Sequence, residues 1–276
     1  MAGESQPSAL AGALTAKAID ATPGGSLIRR PRRTEPVSLW RLLWRAALGL
    51  CRGHWLSRTV IRDECLRQLD ELGLRAIPVV VIVSIMISCT VVFLALGRYA
   101  AFYENHFPGF YGRIFIEQVA PLLTAYLVIG RSIVGMAAEL AGMRISQETD
   151  SLEAIGVDPG DFLLLPRALA LLVAMPALTL CSVYAAAVGG TLGAGWRGSR
   201  SAPVFFDAFF AGTAWETLGL IVVRASVCAL LMALFGGYFG LQADASRQGA
   251  VGLAARRAVV CSMLGVTAIN MAFAVS

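Results

Sequence analysis

The feature that most constrains this chain is the apolar run AIPVVVIVSIMISCTVVFLALG, Ala76 to Gly97, bracketed by Arg75 and Arg98. A helix rises 1.5 Å per residue, so about 20 apolar residues cross the ~30 Å hydrocarbon core of a bilayer. In lipid, a lone segment can satisfy its own backbone groups only as a helix. Four more runs follow: Ile114 to Val134, Ala168 to Trp196, Glu216 to Phe239 and Ala258 to Ala274. The second has Glu117 near one end and Arg131 near the other, the third contains Pro176, and the fourth encloses Arg224. The fold class read from this pattern is all-α integral membrane, with about five transmembrane helices.

Composition agrees. Only 15% of the residues are charged and 57% are hydrophobic, whereas a soluble domain carries about a quarter charged residues. The net charge of +5 comes almost entirely from arginine, since Lys17 is the sole lysine. These arginines flank apolar runs, as membrane proteins place them, which argues against a nucleic-acid partner. Arg41, Arg45, Arg52, Arg58, Arg62, Arg67 and Arg75 precede the first run. Arg144 and Arg167 lie between the second and third, and Arg247, Arg256 and Arg257 before the fifth. The alternate segments hold fewer, so the positive-inside bias predicts a cytoplasmic N-terminus and an external C-terminus.

Residues 1–37 are rich in Ala, Gly, Ser and Pro and turn basic at Arg29 to Arg33. They read as a disordered cytoplasmic tail without the apolar core of a secretory signal. From Ser38 to Arg58, Leu39, Leu42, Leu43, Ala46, Ala47 and Leu50 recur at helical spacing, with Trp40, Trp44 and Trp55 nearby. That pattern predicts an amphipathic helix lying in the membrane interface, with a soluble packing helix as the alternative. The remaining domain, 38–276, reads as one membrane unit.

The six cysteines are dispersed with no CxxC pair, and His54 and His106 have no neighbouring ligand set. No metal, cofactor or catalytic residue is expected. A P-loop needs a Gly-Lys-Ser/Thr end, and the sole lysine, Lys17, follows Ala16. HExxH and GxSxG motifs and paired aspartates within spans are missing too, which argues against a membrane enzyme. Two small-residue sets, Gly189/Gly190/Gly193 and Gly236/Gly237/Gly240, each contain a GxxxG, which suits tight helix packing or dimerisation.

Between the second and third runs, the core from Glu139 to Asp158 is too charged for lipid: Glu139, Arg144, Glu148, Asp150, Glu153 and Asp158 all fall here. Leu140, Met143, Leu152 and Ile155 offer an apolar side, Arg144 and Glu148 stand at i, i+4, and Gly156 before Asp158-Pro159 signals a stop. The segment, about 138–160, reads as a short amphipathic cytoplasmic helix that can pass force from a soluble partner; a solvated connecting loop is the alternative.

This block resembles the MlaE/YrbE permease family, the membrane subunits of Mce-type ABC lipid transporters. The resemblance rests on Gly130-Arg131, Ala138-Glu139-Leu140, Met143-Arg144, Gln147-Glu148, Leu152 to Pro159 (LEAIGVDP) and Pro166-Arg167, in that order. Arg67-Gln68-Leu69, Gly237-Tyr238 and Ala255 to Val260 extend it over roughly 60–274. It implies the permease subunit of a bacterial inner-membrane transporter for phospholipid or a related lipid, homodimeric, with five spans and an N-terminal interfacial helix. The implied partners are a cytoplasmic ABC ATPase, a periplasmic Mce-domain protein and a STAS-domain protein, with lipid as cargo. Glu139, Arg144, Glu148, Glu153 and Asp158 would couple to the ATPase. Glu117, Arg224 and Asn270 would face a lipid cavity.

The chain departs from the family at these polar positions. The family's R-E-L-G-P is Ile116 to Pro121 (IEQVAP) here, a usual lysine is Arg224, and a usual acid is Asn270. Two other functions remain at this stage: a membrane scaffold without its own translocation path, and a subunit of a sterol or fatty-acid importer.

Overall fold

The computed structural model describes residues 58–103, 107–156, 159–196, 202–211, 215–243 and 249–275. The tail, the interfacial helix expected over 38–58, except its last residue, and Asp158 lie outside the described residues. The order is α1 (Arg58–Leu72), a 3₁₀ turn (Leu74–Ala76), α2 (Ile77–Tyr103), α3 (Phe107–Ile145), α4 (Glu148–Ala154), α5 (Pro159–Trp196), α6 (Ala202–Phe210), α7 (Trp215–Leu241) and α8 (Ala250–Val275). Among the described residues there is no strand. Five helical segments are long and apolar enough to cross a bilayer: Cys65–Leu96, Phe107–Ile145, Phe162–Trp196, Glu216–Leu241 and Ala250–Ala274. The protein is a multi-pass, all-α membrane protein.

Two spans are much longer than their apolar runs. Span two continues from Phe107 to Ile145 over 39 residues, and α5 runs for 38 residues with Pro166 and Pro176 inside it. At 1.5 Å per residue each exceeds 55 Å, about twice the hydrocarbon core. Each therefore has length to spare beyond one crossing, and α4 lies in the turn of the helical hairpin that α3 and α5 form. This corrects the expectation of a separate helix spanning Glu139 to Asp158: Glu139 and Arg144 ride on the last turns of α3, and α4 is only the seven residues Glu148–Ala154. The helix persists because Met136, Ala137, Leu140 and Ala141 keep an apolar face buried, while Glu139 stands half-exposed beside it. It ends where Gln147 adopts φ 62°, a conformation that interrupts helical hydrogen bonding.

The core is built from small residues at close approach. On α2 and α5, Ser84 Oγ meets Ser182 Oγ at 2.8 Å and Ser88 Oγ donates to the Ala186 carbonyl at 2.6 Å. A Cβ placed on Gly189 would lie 2.5 Å from the Ile85 carbonyl oxygen, and one on Gly193 2.7 Å from that of Cys89. Gly236 packs on Met136 and Gly240 on Leu140 and Ala137. Both GxxxG sets are thus consumed by packing within the chain. Gly189→Ala is expected to push α2 off α5 and cost about 2 kcal/mol, seen as a lower midpoint of thermal unfolding in detergent. An unchanged midpoint would contradict this packing.

Helix α6 was not legible in sequence, because nine residues are too few for a span. Its Phe205 and Phe209 are buried, with ring centroids 6.5 and 6.0 Å from Tyr111 at the start of α3. This aromatic cluster lies at the end of α3 opposite the hairpin.

Candidate functional site

Two polar constellations stand out against the apolar bundle. The first lies within the spans. Arg224 on α7 is 5% exposed, and a charge at mid-bilayer costs about 2.5–3.5 kcal/mol on insertion scales, so it needs partners. It has three. Nη1 donates to the Glu117 backbone carbonyl at 2.6 Å, and Nη2 donates to Gln118 Oε1 at 2.9 Å and to the Asn270 carbonyl at 2.7 Å. The Phe273 ring lies 5.7 Å from its guanidinium carbon, within cation–π range.

The first acceptor is available for a local reason. Residues Phe115–Val119 form a π turn in α3, and such widened turns recur at functional sites because they perturb the regular carbonyl ladder. All three sequence-predicted cavity residues, Glu117, Arg224 and Asn270, are therefore brought together, joining spans two, four and five. Their contacts differ from a simple ion pair. The Glu117 carboxylate turns to Arg113 Nε at 3.0 Å, one helical turn back, and Arg224 meets only neutral oxygens. Arg224 Nε and Asn270 Oδ1 have no protein partner among the described residues. Asn270 Nδ2 donates to the Val266 carbonyl at 2.8 Å. Gln118 was missed in sequence; an amide beside Glu117 in a membrane span was the signal.

The second constellation is the hairpin tip. Arg167 on α5, its side chain 4% exposed, binds Glu139 of α3 at 2.8 Å. Arg144 reaches across the break to α4, with Nη1 2.6 Å from Asp150 Oδ1 and 3.1 Å from Thr149 Oγ1. The i, i+4 pairing of Arg144 with Glu148 is not formed, because the chain turns at Ser146–Gln147. Glu148 accepts instead from the Ser146 hydroxyl at 2.9 Å. Gly156 takes φ 86° as α4 ends, in keeping with the stop signal. The side chain of Glu153 and all of Asp158 lie outside the described residues. Arg167 appeared in sequence only as part of a motif; its partner was not readable.

Between α4 and the hairpin stem, Met143, Leu152, Ile155 and Leu163 line a shallow pocket of about 250 Å³, rimmed by Glu148, Thr149 and Ser151. Ile155 is 77% exposed at its mouth. The hollow is mostly apolar, with Glu148 as its one charged lining residue. Among the described residues no group of His, Cys, Asp and Glu could hold a metal ion.

Residues 65–276 match the family model described as Permease MlaE. The chain is 25% identical over 274 residues to the chloroplastic protein TRIGALACTOSYLDIACYLGLYCEROL 1 of Arabidopsis thaliana, covering 90% of this chain and 76% of that one. It is 25% identical over 215 residues to a probable ABC transporter permease protein of Synechocystis, covering 77% and 81%. It is 26% identical over 216 residues to the intermembrane phospholipid transport system permease protein of Haemophilus influenzae, covering 74% and 81%.

Proposed function

Because the chain belongs to the MlaE permease family, we propose that it is the membrane subunit of an ABC transporter that moves phospholipid or a related lipid between membranes. A separate cytoplasmic subunit hydrolyses the ATP. The observation that carries this reading is the ion-paired hairpin on the end of the two longest spans. The polar tie at Arg224 supports it by linking span two to spans four and five.

Five alternating spans place Ile77, Ile145, Pro159, Leu241 and Ala250 on one face, and the arginine bias supports a cytoplasmic assignment for that face. The membrane is then the bacterial inner membrane, with the N-terminus inside. There α4 seats on the ATPase; Glu148, Glu153 and Asp158 are the residues taken to couple to it, while Glu139 and Arg144 hold the hairpin in shape. An Mce-domain protein docks at the opposite, aromatic end, and a STAS-domain protein joins on the cytoplasmic side.

Two copies of the chain form the permease. Leu220, Val223, Leu264 and Met271 on α7 and α8 are 60%, 52%, 66% and 70% exposed, which suits a chamber wall or a lipid boundary equally. Glu117, Arg224 and Asn270 border the chamber where the headgroup passes.

Co-expression with candidate ABC ATPase subunits, purification, and reconstitution into liposomes test the reading directly. The expected result is a stable complex whose ATP hydrolysis drives transfer of labelled phospholipid to acceptor vesicles. A chain that purifies without an ATPase and moves no phospholipid would sink it. Retention of the ATPase without any transfer would point to a scaffold.

A further inference from the structure

Span two has a second π turn, Ile129–Ile133, which the polar tie at Arg224 does not use. Its two polar residues leave the helix toward one place. Arg131 donates through Nη1 to the backbone carbonyl of Arg75, and Ser132 Oγ donates to the Leu72 carbonyl at 3.4 Å. Both acceptors lie in the elbow between α1, which ends at Leu72, and α2, which begins at Ile77. The last carbonyls of a helix lack intrahelical partners, and span two supplies one for Leu72 at the end of α1. The elbow is also tight: a Cβ on Gly73 would lie 2.6 Å from the Leu69 carbonyl oxygen and 3.1 Å from Ala174 Cβ on α5. Arg75 itself pairs with Asp70 at 3.5 Å.

We propose that Arg131 and Ser132 are positioning residues that fasten the α1–α2 elbow to span two, so that α2 follows span two during lipid transfer. The proposal rests on the transport reading above. α2 is thinly covered: only 28% of its apolar window is buried, and Ile82, Met86 and Leu94 are each more than half exposed. Its lengthwise hold comes from α5, through the Ser84–Ser182 and Ser88–Ala186 contacts. The elbow bonds add a hold from span two at one end. From Arg131 the helix α3 continues about 12 Å to Glu139, where the hairpin ion pair begins. A displacement of the hairpin therefore reaches Arg131 along rigid helix and passes to the elbow through two side chains. α2 leaves much of its apolar surface available to lipid, so its position bears on the opening of the transfer path.

The test uses the chain in complex with its ATPase, in liposomes, with Arg131→Met, Arg131→Lys and Ser132→Ala. Lipid transfer, ATP hydrolysis and hydrogen exchange at the elbow amides are read separately. Arg131→Met is expected to slow transfer about fivefold while hydrolysis continues, and to speed exchange over residues 72–77 about tenfold. Arg131→Lys, which keeps a donor, is expected to restore most of both, and Ser132→Ala to show a smaller loss. Transfer by Arg131→Met at the wild-type rate would overturn the proposal, as would parallel loss of transfer, hydrolysis and thermal stability. If the unaltered complex moves no lipid, the transport reading fails instead, and unchanged elbow exchange in Arg131→Met would separately sink the fastening.

Discussion

Glu139→Ala is expected to destabilise the chain by about 3 kcal/mol and to uncouple whatever transport survives. The reason lies in the asymmetry of its ion pair. Arg167 is almost wholly buried, and its Nη1 already lacks a partner among the described residues. Removing the carboxylate leaves a guanidinium with no counter-charge in a low-dielectric setting. The usual range for breaking a buried pair is about 3–5 kcal/mol, and the half-exposed Glu139 side favours the lower end, because water can reach in from there.

The double variant Glu139→Ala/Arg167→Met is expected to regain most of the lost stability, since replacing both partners removes the buried charge. It should not regain transport, because no bond then joins α3 to α5 at the hairpin. Thermal unfolding of the purified variants and ATP-driven lipid transfer supply the two readouts. Should the double variant be no more stable than the single one, the carboxylate would not be acting through Arg167.

Arg224→Met is expected to leave the fold nearly intact while lowering lipid transfer by tenfold or more, about 1.4 kcal/mol in the barrier. Two of the three acceptors that Arg224 serves are backbone carbonyls of helices, and the third, Gln118, is a side chain that can reorient. Losing the donor therefore strands little, and losing the buried charge relieves its desolvation, so the net stability change should stay within about 1–2 kcal/mol. Function is another matter. Among the described residues, Arg224 joins spans two, four and five at once through its three acceptors. Arg224→Lys should give an intermediate rate, because an ammonium keeps the charge but has no planar fork to serve three acceptors at once. Wild-type transfer by Arg224→Met would remove the tie from the mechanism and leave it a purely structural feature.

The number and approximate place of the spans were legible in the sequence because lipid imposes a simple rule: about 20 apolar residues make one crossing. The arginine flanks, the charged block between spans two and three, and the turn at Gly156 were legible for similar local reasons. The polar residues Glu117, Arg224 and Asn270 were conspicuous because charge and amide are costly in hydrocarbon.

Their geometry was not. In the fold the Glu117 carboxylate goes to Arg113 and only its carbonyl goes to Arg224. Sequence also ended span two too early, because it scored charge where the helix was deciding by its buried face at Met136 to Ala141. The two π turns, the Arg167–Glu139 bond and the elbow grip of Arg131 depend on residues far apart in the chain.

By itself, then, the sequence determined that this protein lives in a membrane, how often it crosses, and which family it resembles, since each of these depends on local composition or ordered motifs. Only the tertiary structure decided which polar group meets which, because in a helical bundle partners are chosen by rotation and depth. Those two quantities are set by close packing of small residues such as Gly189 and Gly240, and no single stretch of sequence encodes them.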